Sequence, residues 1–328
     1  MAGADRFSSL PPEVTGGGPV ASSWIEGVHH VVSSFRGPLL HFALSQCFSS
    51  DQSVLLQRLL DLLLQKNSLE TLNFSSYLFN CARVVIHLPS FYSLKKLKLF
   101  GCRIVLPTGF QGFECLSTLI LRFVQISNDD LNLLIHISNS LTTLECLDIV
   151  ASNDQPFSIK LSLPSLRYLK IFFDYDVDKV EVVSAPCLER ASILNYTHSD
   201  FQKLALVTLW FLTSLVMVSS LDLGFDVLKS LSLATLPTNF TFPRVRLLKL
   251  SLKIRAMDKR MCDAFIWLLC SMPFLKDLNI QVIFSFFFFY FLYQILLVLD
   301  VFSLLHYGSL FYMQCSKSNG HSLDVVAF

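Results

Sequence analysis

Apolar residues return along this chain at the first, fourth and sixth positions of a short template, with polar or mixed residues between them. Written by those three positions, the template reads Leu69–Leu72–Phe74, Leu94–Leu97–Leu99, Leu116–Leu119–Leu121, Leu144–Leu147–Ile149 and Leu166–Leu169–Ile171. It continues as Leu188–Ala191–Ile193, Leu228–Leu231–Leu233, Val245–Leu248–Leu250 and Leu275–Leu278–Ile280. First positions lie 25, 22, 28, 22, 22, 40, 17 and 30 residues apart, and the 40-residue gap leaves room for a degenerate copy at Val218–Leu221–Leu223.

The fourth and sixth residues alternate at the strand period, so both face a core while their neighbours face solvent. The first packs beneath the strand from the preceding turn. One copy cannot bury that face alone, whereas stacked copies pair their strands in parallel and share a continuous core. Template and period together predict an α/β fold: a curved leucine-rich-repeat solenoid, with parallel strands on the concave face and irregular helices and loops on the convex face. One copy carries a longer signature, Leu94, Leu97, Leu99, Cys102 and Ile104, which places Cys102 in the turn after the strand. Elsewhere that position is Tyr77, Val124, Ser152, Asp174 or Lys253, so the turn chemistry is irregular.

Three return segments read as helices: Asp51 to Lys66, a stretch over Leu131, Leu133, Leu134 and Ile137 capped by Asp129 or Asp130, and Asp258 through Leu269. Pro164, Pro186, Pro243 and Pro273 each stand two residues before a template position. A proline there ends the previous segment and favours an extended approach to the strand.

Composition sharpens this picture. The chain is 52% hydrophobic and 13% aromatic, and its 16% of charged residues falls well below the usual ~25%. Such a chain needs a core along its whole length. A net charge of +1 and the lack of any Lys/Arg-rich run exclude the electrostatic footprint of a nucleic-acid binder. Nine scattered cysteines show no metal-ligand spacing, and residues 1–23 hold no apolar stretch suited to a signal peptide. Reduced, mostly buried thiols in a cytoplasmic or nuclear protein are expected.

With the repeats in view, the chain resembles plant F-box proteins with a leucine-rich-repeat region, from about Trp24 to Gln281. The resemblance rests on VVSSFRGPLLHFAL (Val31 to Leu44), LPSLRYLKI (Leu163 to Ile171), VVSAPCLERASIL (Val182 to Leu194), FPRVRLLKLSLKI (Phe242 to Ile254) and LLCSMPFLKDLNI (Leu268 to Ile280). DRFSSLPPEV (Asp5 to Val14) resembles the opening of an F-box, whose Leu-Pro pair would be Leu10 and Pro11. The resemblance implies docking of that pair on the Skp-type adaptor of a cullin ubiquitin ligase, and substrate recognition by the repeats. After Val14 the match stops, because Thr15-Gly16-Gly17-Gly18-Pro19 stands where apolar helices should follow. The expected domains are therefore a disordered N-terminus with an F-box-like remnant (1–23), a repeat domain (24–281) and a hydrophobic tail (282–328).

That tail opens with VIFSFFFFYFLYQILLVL, residues 282–299, which carry no charge and just reach the length of a transmembrane segment. A membrane anchor, translated non-coding sequence and a buried cap on the last repeat all fit it.

Catalytic chemistry finds no foothold. No phosphate-binding glycine loop, zinc-protease helix or nucleophile elbow occurs, so no enzyme, cofactor or metal is expected. Asp174, Asp176 and Asp178 imitate the first half of a calcium loop but lack the later Gly and bidentate Glu. What remains is the concave face, where Lys98, Phe100, Arg122, Asp148, Tyr168, Lys170, Phe172 and Lys249 are expected to point outward and contribute to binding a protein partner.

Overall fold

The computed structural model describes residues 20–77, 83–138, 140–147, 149–151, 157–173, 177–195, 201–253, 258–283, 310–316 and 322–327. The chain begins with α1 (Val20–Ser34), β1 (His41–Gln46), a 3-10 turn (Ser50–Gln52), α2 (Ser53–Lys66), β2 (Thr71–Ser76), β3 (Val85–His87), β4 (Lys96–Phe100) and β5 (Arg103–Val105). It continues through β6 (Thr118–Arg122), β7 (Gln125–Ile126), α3 (Asn128–His136), β8 (Thr143–Leu147), β9 (Val150–Ala151), β10 (Phe157–Ser162), β11 (Tyr168–Phe173) and β12 (Val177–Ser184). Then follow β13 (Arg190–Asn195), α4 (Phe201–Ser214), β14 (Ser220–Leu223), α5 (Phe225–Leu231), β15 (Leu247–Lys253), α6 (Lys259–Cys270), β16 (Asp277–Ile283), β17 (Leu310–Ser316) and β18 (Ser322–Ala327).

One 12-stranded sheet runs β1-β2-β4-β6-β8-β11-β13-β14-β15-β16-β17-β18. Its pairings are parallel except the last, β17 with β18. The sheet thus takes in β17 and β18 after β16. Among the described residues, the returns are made by helices, by further strands or by both, and those strands form the parallel sets β3-β5-β7-β9 and β10-β12.

A single backbone device keeps the repeats in phase. The carbonyl just ahead of one strand accepts two consecutive N–H groups from the next repeat. Leu40 accepts from Glu70 and Thr71, Glu70 from Lys95 and Lys96, Lys95 from Ser117 and Thr118, and Ser117 from Thr142 and Thr143. The series continues through Thr142, Arg167, Glu189, Ser219 and Arg246, which accepts from Lys276 and Asp277. Many strands are preceded by a tight turn closed by the first template residue: Leu166 N–H donates to Leu163 at 3.2 Å, Leu188 to Ala185 and Leu275 to Met272, both at 3.1 Å. Pro164, Pro186 and Pro273 sit second in those turns, where the ring pre-sets φ and no N–H is required. From β2 to β16 the template residues are at most 4% exposed, so the core is one continuous leucine ladder.

Register corrects three sequence expectations. The fourth template is three residues out of phase: Leu119 pairs with Leu144 and Leu121 with Cys146, so the true copy is Leu141–Leu144–Cys146. Leu228 and Leu231 belong to α5, and the strand of that repeat is β14, with Val218, Leu221 and Leu223 buried. An earlier copy also precedes the first expected one, because Phe42 and Leu44 of β1 align with Leu72 and Phe74.

Helices α3 and α6 each combine an apolar stripe with a side-chain cap. Asp258 caps α6, accepting from Met261 N–H at 2.9 Å. Ser127, rather than Asp129 or Asp130, caps α3 by accepting from Asp130 N–H at 3.0 Å. Two aspartates in the first turn then favour the positive end of the helix dipole. Helix α1 buries Ile25 and Val32, and its Trp24 ring lies 6.4 Å from Phe48, which stacks on Phe74 at 5.0 Å. Among the described residues no helix is long and apolar enough to cross a membrane. Residues 284–309, which hold most of the 282–299 segment, lie outside the described residues, as do Leu10 and Pro11.

Candidate binding face

Because successive strands share one register, the outward side chains form rows across the sheet. One row runs Thr71, Lys96, Thr118, Thr143, Tyr168, Arg190, Ser220, Leu247 and Asp277. The next runs Asn73, Lys98, Ile120, Glu145, Lys170, Ser192, Asp222, Lys249 and Asn279. A third holds Ser75, Phe100 and Arg122 on the first three of these strands.

Tyr168 is the electrostatic centre. Burial pushes its phenol up, and the Glu145 and Asp222 carboxylates push the same way, while Arg122 and Arg190 oppose them. Arg122 Nη2 donates to Glu145 Oε2 at 2.8 Å, and Glu145 is the more deeply set partner, 14% exposed against 44%. Asp222 has its carboxyl pushed up by burial, opposed by Lys249, by Lys170 and by a hydrogen bond from Ser192. Ser192 Oγ donates to Asp222 Oδ2 at 3.4 Å. The surface therefore presents cations, hydroxyls and one phenol above partly sunken carboxylates, an arrangement suited to recognising a polar partner.

A second feature lies at the strand ends. The Phe100 ring is 5.4 Å from Tyr77 and 5.2 Å from Phe123, and Ser45 donates to the Tyr77 hydroxyl at 3.0 Å. Phe123 occupies the left-handed region at φ 52°. Such a non-glycine conformation costs about 1–3 kcal/mol and persists only where its surroundings over-determine it.

Of the residues expected here, Lys98, Phe100, Tyr168 and Lys170 are half-buried on this face, and Arg122 and Lys249 are exposed. Phe172 shares the face by alternation but is only 8% exposed, so it supports the neighbouring strands more than it offers area. Asp148 lies outside the described residues, and the row position it was expected to fill belongs to Glu145. Arg190, Ser192 and Asp222 flank the templates Leu188–Ala191–Ile193 and Val218–Leu221–Leu223 but were not among the residues expected here, because a single polar residue beside a template carries no signal until its cross-strand neighbours are known. Counting outward from the ladder of paired carbonyls would have found them. Among the described residues no cluster of three or more His, Cys, Asp or Glu could hold a metal ion. Asp174 and Asp176 lie outside the described residues.

A parallel sheet built from in-phase leucine templates, open on one side and covered by helices and short strands on the other, defines a leucine-rich-repeat solenoid. A family model described as "FBD-associated F-box protein At5g56370, LRR repeats" matches residues 56–280, well over half of the chain, and the protein belongs to that family of leucine-rich repeats. A comparison with curated proteins finds no match.

Proposed function

We propose that the protein is a non-catalytic protein-binding module, equivalent to the substrate-recognition region of a cullin ubiquitin-ligase F-box receptor whose docking segment is shortened. The row of charged and hydroxyl side chains around Tyr168 carries this reading. It spans many strands, follows from the fold, and is not consumed by the core. Membership of a leucine-rich-repeat family associated with F-box proteins supports a role in protein–protein interaction. Lys98, Phe100, Arg122, Tyr168, Lys170 and Lys249 are the residues assigned to the substrate, with Phe172 behind them. Leu10 and Pro11 are assigned to a Skp-type adaptor. The free, exposed thiols of Cys47, Cys115, Cys187 and Cys270 suit a reducing compartment, the cytoplasm or nucleus.

The test is a pull-down from cell lysate with the tagged full chain, probed for the adaptor and the cullin. Adaptor recovery that disappears with Leu10→Ala/Pro11→Ala supports a ligase receptor. A folded chain that recovers no adaptor while retaining other proteins through the Tyr168 face would leave a stand-alone binding solenoid.

A further inference from the structure

The charges on the open face are not a sample of the whole chain. The chain is nearly balanced, with 26 Lys and Arg against 25 Asp and Glu. Among the described residues, the outward rows carry six cations: Lys96, Lys98, Arg122, Lys170, Arg190 and Lys249. Against them stand three carboxylates, Glu145, Asp222 and Asp277. Two of the three are already engaged. Glu145 accepts from Arg122 at 2.8 Å, and Asp222, set partly below the surface, accepts from Ser192.

The cations are also regularly placed. Lys98, Lys170 and Lys249 share one row, with Ile120 and Glu145 between the first two and Ser192 and Asp222 between the last two. Each interval is three strand spacings, about 14 Å at ~4.8 Å per strand. An extended chain covers that distance in about four residues. The polar neighbours Thr118, Thr143 and Ser220 in the adjacent row offer hydroxyls to a backbone lying across the strands.

From this spacing we infer that the face takes an extended acidic segment of a partner protein, laid across the strands with Asp or Glu at about every fourth position over Lys98, Lys170 and Lys249. The inference rests on the protein-binding reading above and specifies its ligand. A protein segment fits better than nucleic acid, because carboxylates interrupt the cations and the described residues of the face form no continuous basic track for a phosphate backbone.

The experiment pans a library of random peptides, each about twelve residues long, on the immobilised full chain. The expected result is enrichment of Asp and Glu by about threefold or more over the input, at positions about four apart. Enrichment falls to the input level on Lys98→Glu/Lys170→Glu/Lys249→Glu, and on the milder Lys→Gln triple should folding of the first be in doubt. It survives Lys259→Glu/Arg260→Glu, a charge reversal on α6 away from the face. Enrichment without acidic residues, no enrichment at all, or equal competition by single-stranded DNA of similar length would each overturn the inference. Non-acidic peptides that still depend on Tyr168 would overturn only the acidic ligand and leave the protein-binding reading standing. Peptides indifferent to every substitution on the face would remove both.

Discussion

Gly101 and Gly109 provide a matched pair for testing the turn that follows a concave-face strand. Both adopt positive φ, +68° and +79°, so alanine at either position pays the left-handed penalty of about 1 kcal/mol. Their surroundings differ sharply. A Cβ on Gly109 would meet nothing within 4 Å, whereas a Cβ on Gly101 would stand 1.9 Å from the Ser76 carbonyl oxygen. That carbonyl cannot simply retreat. Ser76 is fully buried, and its hydroxyl bridges the backbone of Phe48, accepting from the N–H at 3.4 Å and donating to the carbonyl at 3.5 Å. Relief requires the end of β4 to move away from β2 by more than an ångström, which drives Gly101 toward β6 and distorts its N–H bond to the Arg122 carbonyl, now 3.0 Å, beyond useful geometry. Losing that bond costs about 1 kcal/mol, and the overpacking about 1–2 kcal/mol more. Gly101→Ala should therefore cost about 3–4 kcal/mol against about 1 kcal/mol for Gly109→Ala. Urea unfolding of both variants, followed by far-UV circular dichroism, measures the difference. Equal destabilisation, to within about 0.5 kcal/mol, would refute the steric argument.

Other consequences are more local. Asp222 has its folded carboxyl raised by burial, so it contributes stability below the ordinary carboxylate range and loses it as pH rises through the raised value. Asp222→Asn should flatten the pH dependence of stability across that window, and an unchanged slope in thermal melts at several pH values would contradict it. Asp258→Ala removes the cap of α6 and should cost about 1 kcal/mol, with faster amide exchange at Met261 as the direct readout. Burial pushes the Cys102 and Cys146 thiols up to about 12, so native alkylation mapped by mass spectrometry should mark Cys47, Cys115, Cys187 and Cys270 and spare those two. The neighbours Leu97 and Lys98 should behave oppositely in the same melts. Leu97→Ala should cost about 3–5 kcal/mol and Lys98→Gln less than about 0.5 kcal/mol.

The sheet was legible because Leu-x-x-Leu-x-Leu reports burial and strand period at once, and every buried position it named from Leu94 to Leu99 lies in the core. Its weakness is equally physical. Leu141, Leu144 and Leu147 are evenly spaced, so the template fits in two phases, and only the paired N–H groups of Thr142 and Thr143 on Ser117 select one. That slip put Asp148 in the position Glu145 holds. The first two template positions are also three residues apart, the spacing of neighbours on one helix face, so Leu228 and Leu231 satisfied the template while belonging to α5. Helix α4 gave no signal because Leu204, Val207 and Phe211 are buried while Leu206 and Trp210 are exposed, leaving no polar stripe to define a period. Arg190, Ser192 and Asp222 are single polar residues whose meaning depends on neighbours many positions away in sequence.

The repeat lengths vary from 22 to 30 residues between the accepting carbonyls, yet every strand starts at the same point relative to the last. Length differences are absorbed on the far side, where α2, α4, α5 and α6 serve the longer returns and the strands β5 and β12 the shortest ones. The open face is therefore indifferent to what the returns do, and its rows depend only on offsets from each accepting carbonyl. The template residues at even offsets carry the core, and the residues at odd offsets carry the surface chemistry. Stability and recognition are thus written on alternate residues of the same strands. This separation is what allows a face as highly charged as the one around Tyr168 to sit on a core of leucine and other apolar side chains.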